Sequence, residues 1–100
     1  SKEELTIDYE GVTKKGNEKM SEVGELHSLY EDGQYKEAFL FGKDLRAKLR
    51  NFRQAGLDDE GEYSNENLAF KVLRRSGTLD RINEYVKNSY VEMRSGDELH

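Results

Sequence analysis

The chain has 100 residues, 34% of them hydrophobic and 37% charged, with a net charge of −5 and neither proline nor cysteine. Typical globular chains are about 45–50% apolar and about 25% charged, so this composition describes one modest core under a heavily charged surface, as the length also requires. It excludes a membrane span, which needs about 20 largely apolar residues in a row, and, without a thiolate, any disulfide, cysteine nucleophile or cysteine-held metal cluster.

Glycine supplies the punctuation that proline does not. Residues 1–16, interrupted by Gly11 and Gly16, are expected to form an N-terminal arm, either extended or disordered. Leu5-Thr6-Ile7-Asp8-Tyr9 alternates like a strand, but no second strand candidate exists to pair with it. If the arm docks, it does so through Leu5, Ile7 and Tyr9. A single helical domain is expected over 17–95, and a tail over 96–100.

Four helices fit inside that domain. In the first, over about 17–32, Met20, Val23, Leu26, His27 and Tyr30 recur at steps of three and four, opposite Glu18, Glu22 and Glu25. The second, over about 34–55, has the clearest pattern: Tyr35, Ala38, Gly42, Leu45, Leu49 and Phe52 form a continuous seam, which Phe41 widens. The third opens with Ser64 as N-cap and Glu66 in its first turn, turns Leu68, Ala69, Val72 and Leu73 inward, and ends at Ser76-Gly77. Thr78 then caps a fourth, whose inward set is Leu79, Ile82, Tyr85, Val86, Tyr90 and Met93. The predicted fold is an all-α, up-and-down four-helix bundle with the second helix at its centre and glycine joints setting antiparallel neighbours.

Gly33, Tyr35 and Ala38, at the joint of the first two helices, have the spacing of a tetratricopeptide-repeat turn, and the segment Gly33–Ala38 resembles a single hairpin of that family. The resemblance implies two closely packed antiparallel helices. It covers the turn alone: Glu25 and Leu26 stand where the pattern has a large then a small apolar residue, and no second copy follows at a period of about 34 residues.

Charge alternates in blocks. Residues 1–33, 34–56, 57–67, 68–88 and 89–100 carry −5, +4, −5, +3 and −2. Such blocks usually neutralise one another between adjacent elements, each exposed pair contributing about 0–1 kcal/mol. At 100° per residue, however, Lys36, Lys43, Arg46, Arg50 and Arg53 share one quadrant of the second helix with Phe39 among them. Phe39 is there either a satellite of the core or an exposed anchor with cationic neighbours. Lys71, Arg74 and Arg75 form a secondary cluster on the third helix.

Chemical motifs are incomplete. Gly11–Gly16 has the glycine spacing of a phosphate-binding loop, but Asn17-Glu18 replace the lysine and hydroxyl that would reach phosphate and magnesium, so a flexible basic turn is expected. Asp58-Asp59-Glu60-Gly61-Glu62 invites calcium, yet Gly56 and Asn67 occupy the positions of the first ligand and the closing bidentate glutamate. His27 is expected as a partly buried, hydrogen-bonded imidazole, and His100 is terminal. The joint Leu73–Leu79 is similar to a DNA-binding helix-turn-helix, with Arg81 alone placed to read bases. No catalytic, cofactor or metal residue is assigned.

The expected function is a non-enzymatic protein–protein interaction module, a small regulatory or adaptor protein, binding through Lys36, Phe39, Lys43, Arg46, Arg50 and Arg53. Its rivals are nucleic-acid binding through the basic faces of the second and third helices, and a structural subunit that self-associates as a homodimer. No membrane partner is expected. The first twenty residues lack the apolar stretch of a secretory signal, which makes a cytoplasmic location the expectation.

Overall fold

The computed structural model describes residues 6–56 and 63–99, with side chains as far as 96. The acidic run 58–62, His100 and the first five residues of the arm lie outside them, while residues 96–99, expected as a tail, continue the last helix. The described residues form four helices: α1 (Tyr9–Glu31), α2 (Tyr35–Gln54), α3 (Asn65–Arg75) and α4 (Thr78–Leu99). They make the expected all-α four-helix bundle, and none of the described helices is long and apolar enough to cross a membrane.

α1 begins eight residues earlier than the glycine pattern suggests. Asp8 caps it by accepting a hydrogen bond from the Gly11 amide at 3.0 Å, and α3 holds the same end through Asn65 Nδ2, which donates to Asp8 Oδ2 at 3.1 Å. A salt bridge from Lys15 to Glu66 adds a second tie at 3.5 Å. Glycine inside a helix costs about 1 kcal/mol relative to alanine, and packing against α3 overrides that penalty at Gly11 and Gly16. The segment read as a basic turn is therefore helix, and Ile7 and Tyr9, 41% and 72% exposed, do not dock an arm.

The α1–α2 hairpin turns at Asp32-Gly33-Gln34. Gly33 takes φ 76°, and the Gln34 amide returns to the Leu29 carbonyl, satisfying the helix end as a left-handed C-cap does. The core lies between the hairpin and α3–α4, and comprises Val23, Leu26, Ala38, Leu45, Leu49, Phe70, Leu73, Ile82 and Val86.

At the second glycine joint the chain does not reverse. Asn65–Asp8, Thr78–Met20 and Tyr85–His27 are hydrogen-bonded across sequence separations of 57, 58 and 58, so α3 and α4 both run alongside α1 in its own direction. Against α2 both run antiparallel: Asn67 meets Arg53, Val86 meets Gly42, and Tyr90 meets Phe39. The physical reason is coverage. The 11 residues of α3 span about 16 Å, half the length of the 20-residue α2 at about 1.5 Å per residue. Had α4 folded back over α3, the seam around Ala38, Gly42 and Leu26 would face water. Gly77, at φ 82°, is followed at once by the first residue of α4, whereas Gly33 is followed by the non-helical Gln34. Helices that keep their direction across a joint also lack the steep crossing of a helix-turn-helix.

Two helices are turned slightly from their expected phase. In α3 the buried side chains are Asn67, Ala69, Phe70 and Leu73, while Val72 is 59% exposed. In α4 Ser89 takes the buried position expected for Tyr90, which is 42% exposed.

Candidate interaction face

The basic residues of α2 remain together in three dimensions. Lys36, Lys43, Arg46, Arg50 and Arg53 are all exposed; the last four line the side of α2 that borders α4 and α3, and Lys36 is not part of that lining. None of them makes an ion pair among the described residues. The opposite flank of α2 is where charges meet: Lys48 pairs with Asp44 at 3.1 Å and with Glu22 of α1 at 3.8 Å, and Glu22 also holds Lys19 at 2.7 Å. The hydrogen bond that Asp44 accepts, followed by the charge of Glu22, raises the pKa of the Lys48 ammonium above its usual value. Among the described residues, the ion pairs of α2 are thus confined to its α1 side.

Phe39 is a satellite of the core, with a cationic neighbour at its ring. Its ring packs half-buried against the core and lies 5.4 Å, centroid to centroid, from Tyr90. Lys43 Nζ stands 5.0 Å from the same ring centre, the geometry of a cation–π contact.

Between α2 and the α3–α4 rod the surface sinks into two hollows. One, of about 180 Å³, has Leu49, Phe70, Leu79 and Ile82 in its lining and Arg50 and Arg53 beside them. The other, of about 480 Å³, lies among Phe39, Val86 and Tyr90, with Lys43 and Lys87. Arg46 and Asn83 line both, so the hollows form one groove with a polar saddle. Periodicity along α2 could not reveal Lys87, Asn83 and Tyr90 as members of this face, because they join it through the antiparallel pairing of α4.

The secondary cluster of α3 divides. Arg74 lies 6.0 Å from the Phe70 ring, Lys71 is drawn over the Tyr63 ring at 3.5 Å, and Arg75 is exposed. A larger hollow, about 520 Å³, runs between α1 and α3 past Val12, Gly16, Met20 and Val72, with Arg81 as its one charged side chain. It offers shape with little chemistry, whereas the α2/α4 groove offers both.

His27 is hydrogen-bonded to the Tyr85 hydroxyl, joining α1 to α4 as the expected partly buried imidazole. Among the described residues no three His, Asp or Glu side chains are grouped to hold a metal ion. No known protein family, curated protein or solved structure matches this chain.

Proposed function

We propose that this chain is a non-enzymatic protein-interaction module, a small regulatory or adaptor protein acting in the cytoplasm, which binds its partner through the α2/α4 face. The observation that supports this best is the coincidence in one groove of an apolar floor with cations that have no ion pair among the described residues. Exposed cations steer an acidic partner and fix its register, while partly buried rings such as Phe39 and Tyr90 supply the anchoring contacts of a typical interface.

Phosphates would satisfy the same cations, but they gain nothing from the apolar surface of Phe39, Leu79 and Tyr90 in the lining. Affinity capture from a lysate, with Lys43→Glu/Arg46→Glu/Arg50→Glu as control, tests the proposal. Captured protein should be lost with the triple variant, and unchanged capture would remove the basic face as the site. A mobility shift of nucleic acid at about 50 mM salt, fading as salt rises, would transfer the face to the nucleic-acid reading. A sedimentation mass of two chains that returns to one in the triple variant would transfer it to self-association.

A further inference from the structure

Resting on the protein-interaction role of the α2/α4 face, we infer that its occupant is one acidic α-helix of the partner, with two large apolar residues seven positions apart and a carboxylate between them. The spacing comes from the two hollows. On α2 the first draws on positions 46 to 53 and the second on 39 to 46, so the middles of their α2 walls lie two helical turns apart, about 10.5 Å at about 1.5 Å per residue. An α-helix presents residues i and i+7 on one face at that separation. An extended peptide repeats one side every second residue, at about 6.6 or about 13 Å, and fills one hollow while missing the other.

Charge specifies the rest of the helix. Lys43, Arg46, Arg50, Arg53 and Lys87 line the groove, and no carboxylate of the described residues does. A helix seated with its apolar residues in the hollows brings position i+3 or i+4 over the saddle. Arg46 and Asn83 meet it there, a guanidinium and an amide that suit aspartate or glutamate. Acidic residues flanking the anchors meet the remaining cations along the rim. This is helix-in-groove recognition, with hydrophobic anchors supplying affinity and the saddle supplying register.

Two synthetic acidic peptides of identical composition test it, one with leucines seven positions apart and glutamate at i+4, the other with leucines five apart and therefore on different faces. The first should bind, gain helical circular dichroism on binding, and shift the amide resonances of Asn83 and Tyr90. The second should bind at least about tenfold more weakly, the effect of withdrawing one apolar anchor. Arg46→Glu, at an exposed position, should weaken the first peptide far more than the second. Equal affinities, or binding without gain of helix, would overturn the helical occupant. The interaction face itself would then still stand if capture from lysate depends on Lys43, Arg46 and Arg50. A single-stranded oligonucleotide displacing the peptide, or a second copy of the chain found in the groove, would overturn it as well.

Discussion

Gly42 of α2 faces Val86 of α4 so closely that a Cβ at position 42 would stand 2.6 Å from Val86 Cγ2 and 3.4 Å from Leu26 Cδ1. Gly42→Ala gains about 1 kcal/mol of helix propensity and loses about 1–3 kcal/mol to overpacking, so the urea midpoint should fall. Val86→Ala in the same chain removes the obstructing methyls, and the double variant should be less destabilised than the sum of the two. Strict additivity would show that the helices part to accept the new methyl.

Leu45 is 1% exposed at the centre of the core, and its neighbour Arg46 is exposed on the groove rim. Leu45→Ala should cost about 2–5 kcal/mol, and Arg46→Ala no more than about 0.5 kcal/mol. Their urea midpoints check this, and a reversed order would mean that the basic row is not a surface.

Ser89 is fully buried, and its hydroxyl has no hydrogen-bond partner among the described residues. Ser89→Ala removes an unsatisfied polar atom and substitutes a better helix former, so it should stabilise the protein by about 1 kcal/mol. A lower melting temperature would show that the hydroxyl is bonded in solution.

The hydrogen bond from the Gly11 amide, with that from Asn65, lowers the pKa of the Asp8 carboxyl from its ordinary 3.8. Between the folded and unfolded values the unfolded chain binds more protons. The contribution of Asp8 is therefore fully present above pH 3.8 and is lost as pH falls through that value toward the folded one. Asp8→Asn keeps an N-capping oxygen and removes the titration, so urea midpoints taken at about pH 6 and about pH 3 should differ less in the variant than in the parent. An identical acid dependence would assign it to other carboxylates.

The seam of α2, the Ser64 cap, the Gly33 turn and the basic row were legible in the sequence because each is fixed within a few residues of chain. Periodicity needs neighbours three and four apart, and a cap needs its own first turn. What was not legible depends on distant partners. α1 starts at Tyr9 because Asn65 and Glu66 come to it from α3, and Phe70 is buried instead of Val72 because an 11-residue helix has too few turns to fix its own phase. The groove belongs to the same class. Its basic rim was written into α2, but its other wall, Asn83, Lys87 and Tyr90, exists only because α4 keeps the direction of α3 and lies antiparallel along α2. That direction follows from the need to cover the apolar surface α3 leaves bare, a property of the assembled bundle and of no single segment.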